Sequence, residues 1–203
     1  MPAAGRKRDT SIDASILSAA VDLYASSGWA AFTFESVARA AGVGKPAVYR
    51  RFDSREQLLG VALSKLSWPL AADKGSLRAD LEYWSTNIML WWKTPAGAAF
   101  LRWQTDIRYE VALASTYDMV IKARVDTVTD IPRRAIVRGE LRPGSDYAQM
   151  LEMISGAILT RVLATPWGTL TKASATRYVA SIVNAALKSY EAVDRQNDSV
   201  SSM

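Results

Sequence analysis

The chain has 203 residues, 49% apolar and 22% charged, with a formal net charge of +5, no cysteine and no histidine. That length allows one or two domains burying about 70% of the unfolded surface, and the composition excludes a disordered chain. Without Cys or His there is no disulfide, no thiolate or imidazole metal ligand, no cysteine nucleophile and no histidine general base, which argues against an enzyme; no cofactor is expected.

No apolar run approaches the roughly 18 residues of a membrane span, and the start MPAAGRKRDT lacks the apolar core of a secretory signal. A cytoplasmic protein with no membrane partner is expected. Residues 1–66 hold nine Lys/Arg against six Asp/Glu, so the mild basic excess lies toward the N-terminal third.

Residues 1–9 read as a basic arm with Arg6, Lys7 and Arg8 in a row. A first helix starts between Ser11 and Asp13 and runs to about Ser27. Ile12, Ile16, Ala19, Ala20, Leu23 and Tyr24 form its apolar stripe, and Gly28 ends it. Trp29 and Phe32 read as core wedges. Next, Phe34, Val37, Ala38 and Ala41 fall at helical spacing behind Thr33 as N-cap, and Gly42 is the left-handed residue that ends this second helix. Gly44-Lys45-Pro46 restarts the chain. Val48 and Phe52 face the second helix, leaving Lys45, Tyr49, Arg50 and Arg51 outside. Two short helices with a Gly-containing turn read either as an ordinary helical hairpin with a solvated basic face or as a helix-turn-helix, whose second helix enters the major groove of DNA. Asp53, with Glu56 three residues on, then caps a fourth helix carrying Leu58, Leu59, Ala62, Leu63 and Leu66 and stopping near Trp68-Pro69.

Residues 10–66 closely resemble the DNA-binding domain of the TetR family of transcriptional regulators. The resemblance is carried by Ile16-Leu17, Ala19-Ala20, Leu23-Tyr24, Gly28-Trp29, Thr33, Val37-Ala38, Ala41-Gly42-Val43, Val48-Tyr49, Phe52, Arg55-Glu56 and Leu58-Leu59. Two positions depart from the family pattern: Arg51 replaces the usual His and Arg55 the usual Lys.

Past a boundary at 69–76 the chain reads as helix throughout. Leu77, Leu81, Trp84, Ile88 and Trp91 form one stripe. Thr94-Pro95 opens a helix to about Ala114, and another spans Thr116 to Arg138 with Pro132 expected to kink or break it. Asp146, with Gln149 at the capping-box position, starts a helix to about Ala164. The last helix covers roughly Ser174 to Ala192, and the tail 195–203 is expected to be disordered. The fold expected is therefore all-α with about nine helices. A three-helix helix-turn-helix domain (1–66) is joined by the fourth helix to a larger helical domain (67–194).

These patterns define three candidate sites. For DNA, Lys45 and Arg50 are assigned to base edges, Pro46 and Ala47 to a thymine methyl, and Thr33, Ser36, Tyr49, Arg51 and Arg55 to phosphates. Five of the seven tryptophans fall between 68 and 103. Trp84, Ile88, Trp91, Trp92, Phe100, Trp103 and Gln104 are the candidate lining of a pocket for an apolar or aromatic small molecule. The last two helices are apolar on more than one side. Tyr147, Leu151, Ile154 and Ile158, with Val179, Ile182, Val183, Ala186 and Tyr190, suit either a thick core or a second copy. The TetR resemblance implies the second copy, because members pair through their last two long helices. The function expected is a homodimeric regulator of a palindromic operator, a repressor released by a small-molecule effector. The rivals are a ligand-independent architectural DNA-binding protein and a helical scaffold with carrier or enzyme activity.

Overall fold

A computed structural model describes residues 10–144, 147–166 and 169–201, with side chains described except at 122–127 and 191–201. The described residues form nine α-helices and one 3₁₀ turn, and no strand. Their contacts form two compact units. The first holds the residues up to Leu66 together with Pro95–Ala123; the second holds Ser67–Thr94 and the residues from Arg124 on. The chain therefore crosses between them at 66/67, 94/95 and 123/124. Arg6, Lys7, Arg8, Asp146 and Trp167 lie outside the described residues.

In the first unit α1 is Thr10–Ala31, interrupted at Gly28, whose φ of 74° and ψ of −174° only glycine adopts readily. The Arg102 side chain occupies the space a Cβ would take there. Beyond the break, Trp29 and Phe32 are buried and stacked at 5.8 Å, and Phe32 meets Tyr24 edge-on at 5.8 Å. These aromatics close the unit's core with Ile16, Val37, Val48, Leu58 and Leu59, all 0% exposed.

Helix α2 (Phe34–Ala40) and helix α3 (Lys45–Tyr49) follow the expected caps. Gly42 takes φ 66°, and the Val43 amide donates back to Ala38 O at 3.0 Å, closing the helix end. Helix α4 (Arg55–Ser64) is capped by Ser54 rather than Asp53. The Ser54 hydroxyl accepts from the Gln57 amide at 3.1 Å, while the Asp53 amide donates to the Gln57 side chain. This helix stops at Ser64, short of the Trp68-Pro69 expected.

Helix α6 (Pro95–Asp106) packs on α1. It ends eight residues before the expected Ala114, and a 3₁₀ turn, Val111–Thr116, replaces its last part. The cause is long-range. Leu113 is fully buried, and the Trp103 indole N–H donates to the buried Thr116 hydroxyl at 2.8 Å, so the chain folds back instead of running on. The Thr94 hydroxyl, just before Pro95, donates back to Trp91 O at 2.6 Å.

The second unit is built around α5 (Leu77–Trp91), which packs on α9 (Lys172–Ser201) and α8 (Ala148–Ala164). Ser76 caps α5. Leu77, Leu81, Trp84, Ile88 and Met89 join Ile131, Met150, Ile154, Ile158, Val179 and Val183 in one apolar core. Helix α7 (Tyr117–Val137) runs through Pro132 as one helix, so the proline does not break it. Thr171 and Ser174 cap each other's amides at the start of α9. No Gly or Pro interrupts 172–201, and α9 stays helical to Ser201, past the point where disorder was expected.

One buried charge organises the opening of α5. Asp80, 0% exposed, accepts from Arg134 Nε at 3.3 Å, from Arg138 Nη2 at 3.2 Å and from the Lys74 amide at 2.5 Å. Arg138 also pairs with Asp73 at 3.1 Å and with Glu140, whose other oxygen accepts from the Leu77 amide at 2.6 Å. The network ties the 67–76 segment, α5 and the end of α7 together.

Candidate nucleic-acid interface

Thr33 and Ser36 build the start of α2. The Ser36 amide donates to the Thr33 hydroxyl at 3.1 Å, the Thr33 amide donates to Ser36 Oγ at 2.9 Å, and the Ser36 hydroxyl donates to Ala31 O at 2.8 Å. Both hydroxyls therefore serve the capping box first. The inner face of α2 buries Val37 and Ala38, and Val48 buries the inner face of α3. That packing leaves Lys45, Pro46, Tyr49 and Arg50 exposed and Ala47 half-buried.

The exposed side chains are not equivalent. Tyr49 stacks edge-on with Phe34 at 4.9 Å, and its hydroxyl donates to Glu35 Oε1 at 2.8 Å. That bond holds the Glu35 carboxyl below its ordinary value, and Glu35 in turn raises the Tyr49 phenol. Lys45 lies 3.9 Å from the same carboxylate, a solvated pair worth little. Arg50 has no hydrogen-bond or ion-pair partner among the described residues. It is the cation that α3 leaves uncommitted.

Two assignments change. Arg51 is half-buried, pairs with Asp13 of α1 and donates to Ala47 O at 3.0 Å, so in this structure it braces α3 against α1. Arg55 lies over the Trp29 ring at 3.9 Å and pairs with Glu56 at 3.5 Å, which commits much of its guanidinium to the unit itself. The sequence reading missed Arg39. It is exposed, without a partner among the described residues, and four residues on from Glu35, which puts it on the α2 face that meets Tyr49 and Lys45. That i, i+4 relation was the available signal.

The candidate pocket residues divide. Phe100, Trp103 and Gln104 belong to the first unit, and Trp84, Ile88, Trp91 and Trp92 to the second. Phe100 and Trp103 are 4% and 1% exposed and pack on each other at 5.6 Å, with the Trp103 N–H used by Thr116, so they are core. Gln104 is exposed. Trp84 and Ile88 are buried in the second unit, with Trp91 and Trp92 half-buried beside them.

The candidate dimer residues also need correction. Ile154, Ile158, Val179, Val183 and Ala186 are at most 2% exposed within the single chain and form its own core. Tyr147, Leu151, Ile182 and Tyr190 are half-buried at the edge of that core. The apolar surface that α8 leaves uncovered is instead Met153, 45% exposed, and Leu163, 66% exposed, with Gly156 and Thr160 between them.

A basic recognition helix on a three-helix base, followed by a helical unit, is the architecture of a helix-turn-helix transcriptional regulator. Residues 16–62 match the family "Bacterial regulatory proteins, tetR family", and residues 71–182 match "Tetracyclin repressor-like, C-terminal domain". The chain belongs to the TetR family of transcriptional regulators, which is not a family of enzymes. It is 28% identical over 167 residues to the uncharacterised HTH-type transcriptional regulator YdeS of Bacillus subtilis (strain 168), covering 79% of this chain and 83% of that one. Among solved structures, the TetR family transcription regulator SCO0332 aligns with a TM-score of 0.55 at 28% identity, over 85% of this chain and 97% of that one. The transcriptional regulator FadR of Bacillus subtilis, in complex with stearoyl-CoA, aligns with a TM-score of 0.61 at 17% identity, over 88% and 97% of the two chains. No helix among the described residues is long and apolar enough to cross a membrane.

Proposed function

We propose that this regulator is a homodimeric repressor in the cytoplasm, reading a palindromic operator through α3 and released by an apolar small molecule held in the second unit. Arg50 carries the reading. It is exposed and uncommitted on the helix that a helix-turn-helix inserts in the major groove, while Arg51 and Arg55 beside it are occupied. A guanidinium with both donors free suits the O6 and N7 acceptors of guanine. Lys45 shares that reading, with Pro46 and Ala47 against a thymine methyl. Tyr49, Arg39 and the remaining reach of Thr33, Ser36 and Arg55 touch phosphates and fix register without reading sequence.

Two copies pair through the α8 face at Met153, Gly156, Thr160 and Leu163, which recur at alternating spacings of three and four residues. The effector is held against Trp84, Ile88, Trp91 and Trp92, and shifts the repressor only by as much as it prefers one state over the other. The acyl-CoA bound by the FadR relative lends weight to an apolar ligand.

Selection from a random duplex library tests the whole. The protein should enrich a two-fold symmetric site, and Arg50→Ala should lose about 1–3 kcal/mol with relaxed preference at one position per half-site. Enrichment of nothing, or an Arg50→Ala protein with unchanged preference, would sink the proposal.

A further inference from the structure

Buried polar atoms without partners are uncommon in folded proteins, because each forfeits its hydrogen bonds to water. In the second unit they gather on α5. The indole Nε1 of Trp84, the hydroxyl of Ser85 and the indole Nε1 of Trp92 are shut off from solvent with no hydrogen-bond partner among the described residues. Trp84 is 4% exposed and Ser85 0%. A helical serine ordinarily turns its hydroxyl to the carbonyl four residues back, as Ser15 and Ser26 do in α1; Ser85 does not. In the first unit, by contrast, two buried aromatics are satisfied. The Trp103 N–H reaches Thr116, and the Tyr24 hydroxyl reaches Asp106 at 2.7 Å.

Helix geometry puts the three atoms in a row. At about 100° and 1.5 Å per residue, Ser85 and Trp92 point in nearly the same direction, with Trp84 about 80–100° round the axis, and the set spans about 12 Å. Ile88 and Met89 between them, and Leu81 one turn before, are apolar and at most 2% exposed. The nearest buried charge, Asp80, already accepts from Arg134, Arg138 and the Lys74 amide. An indole N–H only donates, so its missing partner is an acceptor. Among the described residues the cation next to the row, Lys93, already donates to the Pro166 carbonyl at 3.0 Å. The Tyr190 hydroxyl is buried and unpartnered as well. It lies beyond Asn184, which meets Arg78 at the opposite end of α5 from Trp92, and stays outside the row.

We propose that Trp84, Ser85 and Trp92 are a donor row receiving an uncharged, elongated apolar ligand that carries a carbonyl acceptor: a ketone, ester or amide. The proposal rests on the effector reading above and gives its ligand a chemistry.

Three probes of equal size test it by calorimetry on the full chain: 2-acetylnaphthalene, 2-ethylnaphthalene and 2-naphthoate. The ketone should bind about 3- to 10-fold more tightly than the hydrocarbon for each donor engaged, and the carboxylate more weakly than the ketone. At least one of Trp84→Phe, Ser85→Ala and Trp92→Phe should shrink the ketone's advantage, since one carbonyl oxygen accepts from at most two donors, and each should leave hydrocarbon binding in place. In the ligand-free protein Ser85→Ala, close to isosteric, should hold or raise Tm, because it removes an unsatisfied hydroxyl. Equal binding of ketone and hydrocarbon, binding of neither, preference for the carboxylate, or a lowered Tm for ligand-free Ser85→Ala each overturns the row. The regulator reading fails separately, on DNA binding by the ligand-free protein.

Discussion

Arg50 and Arg51 are neighbours of the same type, yet they do different jobs. Sequence pattern alone put both on the outer surface of α3, because charge beside an apolar stripe reads as solvated. The ion pair that separates them reaches 38 residues back to Asp13, and no local pattern records such a partner. Arg51→Ala should therefore act on the fold. It removes a charged hydrogen-bond pair and the donor to Ala47 O, at a cost of about 1–3 kcal/mol in chemical denaturation. Measured where the variant is still folded, the slope of log affinity against log salt should match that of the wild type. A slope reduced by about one would return Arg51 to the phosphates. Gly28 illustrates the opposite case. Its place after the apolar stripe was legible, and the positive φ there is what a helix end requires of glycine.

At the level of elements, legibility followed punctuation. Gly42, Gly44 and Pro46 set α2 and α3 within narrow limits, because each acts on the backbone at its own position. Residues 107–116 carry no such breaker, and the early end of α6 depends on Leu113 and Thr116 meeting Trp103 across the unit. Pro132 was expected to kink or break its helix; α7 continues through it, with the ring buried in the second unit. The Asp80 network lay beyond sequence reading for the same reason as the Arg51 pair: its partners are 54 and 58 residues away. It also offers a sharp test. Asp80→Ala leaves two guanidiniums, each about a quarter exposed, facing a space that held a carboxylate. The loss should be about 3 kcal/mol, at the low end for a broken buried pair because the arginines can partly rehydrate. Asp80→Asn, which keeps the shape and some acceptors, should recover part of it. A Tm for Asp80→Ala equal to that of the wild type would show that the network contributes nothing net.

For the whole molecule the decisive quantity is the number of α3 helices that reach DNA together. One helix of five residues presents few base contacts, whereas two held about 34–36 Å apart read successive turns of one groove. The second is then bound from a high effective concentration. The residues first expected to make that pairing, Ile154, Ile158, Val179, Val183 and Ala186, are spent on the chain's own core; their apolar spacing could not tell an inner face from an outer one. What remains on α8 is Met153 and Leu163, flanking Gly156, where a Cβ would meet nothing within 4 Å. Met153→Glu and Leu163→Glu together place four carboxylates in a two-fold interface at this face and almost none of that strain in an isolated chain. The double variant should keep the wild-type Tm at low protein concentration, sediment as a single subunit, and bind the selected operator about 10²- to 10⁴-fold more weakly, with the salt slope roughly halved. Binding to an isolated half-site should be unchanged. A double variant that still sediments as a dimer would move the interface off α8, and one that binds the full operator as tightly as the wild type would mean that a single recognition helix suffices.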